Sequence, residues 1–250
     1  MTMPGQLAVA DTAGQRPPAL ASLAGMASLA PLGLNLAVGL QPVFASGGAM
    51  DAGGRAAAVA VYTLGLGLGQ PMAGNAADRW GRRPTLLAGL LLAGVGALLA
   101  AAAGHGDLLL LGRFVTGLGL AVCLLGPRAS LPHLHQGAEL QRSMAVLAMV
   151  FAVAPAVTPP LAWLLADAGS WRAPMALLAL LVLCALAGAS RVFRETRPAT
   201  TGVPDRAAWL ALGRRRIVQR ASLALAGAAA PFFIVAAAGL GLLTYSIGGA

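Results

Sequence analysis

The 250-residue sequence has no lysine, only eight acidic residues and only two cysteines. Charged residues make up 10% of the chain, whereas soluble domains carry about a quarter. Hydrophobic residues make up 58%, which excludes a disordered chain, and together the two values exclude a soluble enzyme. Cys123 and Cys184 each lie in an apolar run, so a disulfide-rich scaffold is also excluded.

What the sequence does contain is a series of long apolar runs separated by charged residues. Seven runs are long enough to cross a hydrocarbon core of about 30 Å as α-helices, which rise ~1.5 Å per residue. Backbone groups in lipid must be satisfied within their own segment, so helices are expected and not strands. The predicted fold is therefore an all-α integral membrane bundle. The predicted spans are 20–44, 56–77, 84–106, 108–127, 143–166, 173–190 and 221–250.

The arginines predict how these spans are oriented. With the N-terminus in the cytoplasm, 14 of the 17 arginines fall on the cytoplasmic side. Arg55 and Arg172 fall on the outer side, and Arg113 lies within a span. Basic residues concentrate on the cytoplasmic side of membrane proteins, so a cytoplasmic N-terminus is predicted. The same rule accounts for the net charge of +9, and no nucleic-acid partner is expected.

The spacing of the runs predicts four segments. Residues 1–19 form a cytoplasmic tail, and residues 20–190 form a six-helix transmembrane bundle with short loops. Residues 191–220 are polar and basic and form a cytoplasmic linker. Residues 221–250 form a seventh transmembrane helix, which would begin an incomplete second half.

The loop between the second and third predicted spans carries the most specific motif. Gly74 is expected to let the two helices approach closely at their cytoplasmic ends. Gly81 is expected to permit the tight reversal that a short loop needs. An arginine-rich cytoplasmic loop would explain the arginines alone, but not their spacing with the glycines and the aspartate. The motif consists of Gly74, Asp78, Arg79, Gly81, Arg82, Arg83 and Pro84.

This pattern, G-x-x-x-D-R-x-G-R-R-P after a second span, resembles the loop 2–3 signature of the major facilitator superfamily. Six spans followed by a basic linker resemble the N-terminal half of that superfamily. Further segments resemble the bicyclomycin-resistance-type drug:proton antiporters. These are Pro31-Leu32-Gly33-Leu34-Asn35, Gly65-Leu66-Gly67-Leu68-Gly69-Gln70, Arg113-Phe114 with Gly117, and the pair Pro155 and Pro159.

The resemblance implies roles for particular residues. The loop motif would act in gating by contacting the opposite half of the transporter, and Pro155 and Pro159 would bend the fifth span. No catalytic constellation, metal site or cofactor is expected, and the chain is not expected to be an enzyme. A substrate and proton cavity would be lined by Asn35, Gln70, Arg113 and Thr116.

Arg113 is the only charged residue well inside a span. An intramembrane arginine is costly unless it faces a cavity or a partner, which favours a role in substrate handling or proton coupling. The alternative is that its side chain extends toward Asp107 at the outer face. For Tyr62, Gln70 and Gln41, lining the cavity and hydrogen bonding between helices both remain open.

The function implied is secondary active transport: proton-coupled efflux of small drug-like molecules across the bacterial inner membrane. Asn35 stands where the antiporters usually carry an acidic residue, and no Asp or Glu lies inside a predicted span. Two alternatives therefore stay open, a non-transporting truncated or fragmentary membrane protein and a sugar or metabolite transporter of the same superfamily. The expected partners are a small-molecule substrate, protons, the lipid bilayer, and either an absent C-terminal half or a second copy of the chain.

Overall fold

The computed structural model describes residues 20–46, 52–168 and 170–193, and every regular element within these ranges is a helix. The predicted all-α fold is confirmed. The tail 1–19, most of the linker 191–220 and the seventh predicted span 221–250 lie outside the described residues. The helices are α1 (Leu20–Gly39), α2 (Gln41–Ser46), α3 (Ala52–Trp80), α4 (Arg82–Ala102), α5 (Gly106–Leu134), α6 (Gly137–Ala168) and α7 (Arg172–Val192).

Six of the described segments are long and apolar enough to cross a membrane, and they follow the first six predicted spans in order. Several helices extend beyond the apolar run that predicted them. For example, α5 continues to Leu134, although its run ends at residue 127. Intrahelical hydrogen bonding does not stop where the hydrocarbon core stops, so a helix can carry polar residues at its ends. The apolar runs therefore predict the spans, but not the helix ends.

The first span is divided into two helices. α1 ends at Gly39 and α2 begins at Gln41, with Pro42 in the first turn of α2. Proline lacks a backbone N–H, so the first turn of a helix is a favourable position for it. The backbone N–H of Leu40 still bonds to the carbonyl of Leu36 at 3.1 Å, so the two helices form one membrane-crossing unit.

Helix α5 lies between α3 and α4, and glycines bring the backbones together. A Cβ atom built at Gly69 of α3 would lie 2.5 Å from the carbonyl oxygen of Leu118 in α5. A Cβ built at Gly96 of α4 would lie 2.5 Å from the backbone nitrogen of Thr116, on the other side of α5. Small residues allow membrane helices to pack at this distance, where dispersion and weak polar contacts replace the hydrophobic effect.

The remaining helices pack around this centre, α7 against α4 and α6 against α1. Gly39 at the end of α1 lies against α6, because a Cβ there would be 2.5 Å from the carbonyl oxygen of Pro159. Large apolar side chains stay exposed along the outer faces, among them Leu64, Val95 and Trp163. Such faces would aggregate in water but form the contact surface with lipid or with another helical bundle in a membrane.

Candidate functional site

The centre of the bundle holds the guanidinium of Arg113, which is 1% exposed. Its Nη1 donates a hydrogen bond to the carbonyl oxygen of Gly33 in α1 at 2.7 Å. Its Nε donates to the carbonyl oxygen of Ala58 in α3 at 3.2 Å. The guanidinium carbon lies 4.5 Å from the centroid of the Tyr62 ring, which is a cation–π geometry. Arg113 thus joins α1, α3 and α5 at one point.

No carboxylate pairs with this cation among the described residues. Asp107, one and a half turns away on α5, is exposed, and the guanidinium bonds across the bundle instead of extending toward it. Carbonyl dipoles and the negative face of the Tyr62 ring therefore stabilise the charge. The Nη2 of Arg113 has no hydrogen-bond partner within the described ranges. The guanidinium has five N–H donors, and its two carbonyl contacts do not use all of them. Arg113 can therefore donate further hydrogen bonds.

Tyr62 and Gly33 complete the arrangement. The Tyr62 hydroxyl donates a hydrogen bond to the carbonyl oxygen of Ala30 at 2.7 Å, and the side chain is fully buried. A Cβ at Gly33 would lie 2.5 Å from that hydroxyl oxygen, so the glycine provides the room for the ring. Interhelical hydrogen bonding is thus the alternative that the geometry supports for Tyr62. In the sequence, a single tyrosine in an apolar span indicates that its hydroxyl needs a partner. The sequence does not indicate that the ring contacts Arg113.

The other three predicted cavity residues do not bond to Arg113 or to one another among the described residues. The Nδ2 of Asn35 donates to the carbonyl oxygen of Pro31 at 2.8 Å, one turn back on α1. The Oγ1 of Thr116 donates to the carbonyl oxygen of Gly112 at 2.7 Å and faces α4. Gln70 is half-buried on α3, about two turns beyond Tyr62.

Gln41 forms the second polar connection between helices. Its Nε2 donates to the carbonyl oxygen of Ala37 at 3.2 Å and to that of Arg55 in α3 at 3.1 Å. An amide that bonds two backbone carbonyls at once holds the start of α2 against the start of α3. Hydrogen bonding between helices is therefore the reading that this geometry supports for Gln41.

The loop motif forms a one-residue connection between α3 and α4. Gly81 has φ 100° and ψ 162°, a region that only glycine adopts readily. Its N–H bonds to the carbonyl of Ala77 at 3.0 Å, and its own carbonyl accepts from the Oγ1 of Thr85 at 2.8 Å. The Nη2 of Arg83 donates to the carbonyl oxygen of Ser190 at 3.0 Å, which satisfies the C-terminal end of α7.

The other charged members of the motif are at least partly exposed. Asp78 and Arg79 are exposed, whereas Arg82 is half-buried. The prediction that Gly74 lets α3 and α4 approach closely is wrong, since a Cβ there would meet no atom of α4 or of any other described element within 4 Å. The tight turn at Gly81 brings the helix ends together without Gly74, which lies almost two turns earlier on α3.

Pro155 and Pro159 both lie inside α6, which continues as one helix to Ala168, and both are half-buried. Each proline removes one intrahelical hydrogen bond, which is a usual cause of a bend in a helix. Bending of α6 at these two positions stays a prediction. The neighbouring Thr158 is fully buried, and its Oγ1 has no hydrogen-bond partner among the described residues.

A family model and individual protein sequences both match this chain. Residues 19–248 match the family model described as Major Facilitator Superfamily. The multidrug resistance protein MdtL of Citrobacter koseri is 27% identical over 149 residues, which are 60% of this chain and 38% of the relative. A chloramphenicol resistance protein of Pseudomonas aeruginosa is 31% identical over 170 residues, 68% of this chain and 41% of the relative.

Solved structures show the same fold at low sequence identity. A peptide transporter POT in complex with sulfate aligns with a TM-score of 0.59 at 14% identity, covering 88% of this chain and 46% of the transporter. A D-xylose–proton symporter aligns with a TM-score of 0.56 at 16% identity, covering 82% of this chain and 52% of the symporter.

In these comparisons the chain spans about two fifths of the length of its curated relatives. The resemblance carried by the loop motif is confirmed, as is the multi-pass membrane architecture. With a family match over nearly all of its residues, the chain belongs to the major facilitator superfamily.

Proposed function

We propose that this chain forms the N-terminal half of a secondary active transporter that exports small drug-like molecules in exchange for protons. The observation that carries this proposal is its similarity to two resistance proteins, one for multiple drugs and one for chloramphenicol. The cell location proposed is the bacterial inner membrane with the N-terminus in the cytoplasm, which the arginine distribution supports.

The buried guanidinium supports a role for Arg113 in the transport cycle. Among the described residues this cation has no carboxylate partner and its Nη2 has no hydrogen bond, so it can donate to a new anionic or carbonyl partner when the helices around it rearrange. Among the described residues, the carboxylates lie at or near helix ends, at Asp78, Asp107, Glu139 and Asp167. The group that takes up the proton is therefore proposed to come from the opposite half or from the substrate.

The loop is proposed to contact that opposite half. Asp78 is exposed, and the space beside Gly74 is open, so both are accessible to a second bundle. Alternating access rocks one half against the other, and a charged contact made in one state only would favour that state. Asp78→Asn in the transporter that contains this chain is expected to impair efflux, and unchanged transport would reject the gating role.

Drug accumulation tests the proposal as a whole. The chain is expressed in a drug-sensitive bacterium, alone and within its complete native transporter, and the uptake of labelled chloramphenicol is measured with and without a protonophore. The complete transporter should lower accumulation, and the protonophore should abolish the difference. Accumulation equal to that of cells carrying the empty vector would contradict the proposal.

The competing proposal is a membrane protein that folds but does not transport. No carboxylate lies at the centre of the bundle among the residues that the structure describes, which supports this alternative. The intact mass of the native protein separates the two. A mass near double 24.9 kDa fits a two-half transporter, and a mass of 24.9 kDa requires a second copy to supply the opposite half.

A further inference from the structure

A groove of about 340 Å³ runs between α1 and α7 and opens to the outer surface of the bundle. Its lining is apolar apart from two serines, and the hydroxyl of Ser28 is occupied by a hydrogen bond to the carbonyl of Gly25 at 2.6 Å. The volume lies within the range of small-ligand pockets, about 300–1,000 Å³. The residues used below are Ser22, Gly25 and Leu32 on α1, and Leu181, Ala185 and Gly188 on α7.

The groove between α1 and α7 is not a necessary feature of this six-helix fold, because the equivalent pair of helices has none. In each six-helix half of this superfamily the first three and last three spans are inverted repeats, so the pair α1–α7 corresponds to the pair α5–α4. The α4–α5 pair is closed, because a Cβ at Gly112 would lie 2.6 Å from the backbone nitrogen of Ala100. Between α1 and α7, by contrast, a Cβ at Gly25 or Gly188 would meet no atom of the described residues within 4 Å. The two glycines leave space that the described helices do not fill.

The groove has the depth of one membrane leaflet. Ser22 and Leu32 are ten residues apart on α1, which corresponds to about 15 Å along the helix axis. The hydrocarbon core is about 30 Å thick, so the groove extends from one face of the membrane to about its centre. Both helices reach that face at the arginine-rich end of the bundle, where α1 begins and α7 ends.

A positive charge lies at the mouth of the groove. Leu181, Ala185 and Gly188 follow a spacing of four and three residues along α7, and Arg191 continues it by three. Residues at this spacing share one helix face. Arg191 is exposed in the last turn of α7, next to Ser190, whose carbonyl holds Arg83. An apolar groove one leaflet deep with an arginine at its mouth matches one acyl chain and an anionic head group.

We propose that the α1–α7 groove binds one anionic phospholipid, with an acyl chain along Gly25 and Gly188 and the head group at Arg191. Arginines near the membrane surface attract the anionic lipids of the cytoplasmic leaflet. Buried methylene groups supply the apolar part of the affinity. The lipid would occupy the groove between α1 and α7. In the corresponding α4–α5 pair, the two helices are in direct contact and leave no such groove.

Filling the groove tests the apolar contact. The full chain, purified in detergent, is mixed with phosphatidylglycerol or with phosphatidylcholine, and bound lipids are counted by native mass spectrometry. Gly188→Leu places a side chain in open space and should weaken retention of one phosphatidylglycerol about tenfold, the effect of losing about two buried methylene contacts. Gly67→Leu is the matched control, because Gly67 is an equally open glycine on α3 outside the groove. It should retain lipid as the wild type does.

Removing the charge tests the head-group contact without altering the groove. Arg191→Gln should lower the preference for phosphatidylglycerol over phosphatidylcholine about fivefold. Arg142→Gln removes an exposed arginine of α6 and should leave the preference unchanged. Equal retention by wild type and Gly188→Leu would overturn the proposal and indicate another occupant, such as the apolar run 221–250. An unchanged preference in Arg191→Gln would overturn the assignment of the head group.

Discussion

Replacing Arg113 with methionine separates the energy of its contacts from the cost of its charge. Hydrogen bonds between membrane helices average about 0.6 kcal/mol, and a desolvated cation–π contact contributes ~2 kcal/mol. Two carbonyl bonds and the Tyr62 ring therefore give Arg113 roughly 3 kcal/mol. An arginine at the centre of a span costs about 3 kcal/mol. The terms nearly cancel, so Arg113→Met should change the free energy of unfolding by less than about 1 kcal/mol.

Replacing Arg113 with lysine preserves the charge but, unlike the methionine substitution, is expected to destabilise the bundle. Lysine keeps the cost of a buried cation, but its ammonium cannot contact both carbonyls while stacking on Tyr62, because it lacks the planar fork of arginine. Arg113→Lys should therefore lower the free energy of unfolding by about 2 kcal/mol relative to wild type. If the proposed role in transport is correct, neither variant should match wild-type efflux, even though the methionine variant stays folded.

A buried thiol provides the assay. Cys123 is buried and Cys184 is exposed, so a thiol-reactive fluorophore in a Cys184→Ser background reports unfolding through Cys123 alone. Wild type, Arg113→Met and Arg113→Lys are heated in the same detergent and compared by their unfolding midpoints. A methionine variant that unfolds well below the lysine variant would refute the reasoning, because charge would then stabilise the bundle by more than its burial costs.

The same assay tests three further predictions, two of them with a matched glycine as the control. Gly117→Ala should destabilise the bundle by about 1–3 kcal/mol, because its Cβ would meet the α3 backbone, whereas Gly67→Ala should not. Gly81→Ala should lower stability by about 1–3 kcal/mol because of its positive φ, and Gly74→Ala, inside a helix with open space, should be neutral or stabilising. Thr158→Val should raise the unfolding midpoint, because it removes a buried hydroxyl that has no partner among the described residues. A lowered midpoint for Thr158→Val would mean that the hydroxyl forms a hydrogen bond in solution.

The sequence predicts the spans well because their signal is local. An apolar run of about 20 residues is sufficient to specify a helix in lipid, whatever surrounds it. The reversal at Gly81 is equally local, since one glycine decides whether the chain can turn there. Family resemblance adds candidate positions for functional residues, but it does not supply their contacts.

Contacts between helices are harder to predict because they depend on how the helices are rotated relative to one another. The charge of Arg113 within a span and its resemblance to the antiporters make it a candidate, but its bond to Gly33 joins residues 80 positions apart. Thr116, three residues further along α5, faces α4 instead. Gly74 was misread for the same reason, since a glycine in a membrane helix permits close packing without showing which neighbour packs there.

The single residue between α3 and α4 also bears on how the protein enters the membrane. Trp80 ends one helix and Arg82 begins the next, so the two segments, 29 and 21 residues long, have almost no slack between them. Neither segment can cross the bilayer while the other remains far away. We therefore expect α3 and α4 to insert as one helical hairpin during synthesis. A flexible peptide inserted after Gly81 would remove this constraint, so the two helices are then expected to insert independently.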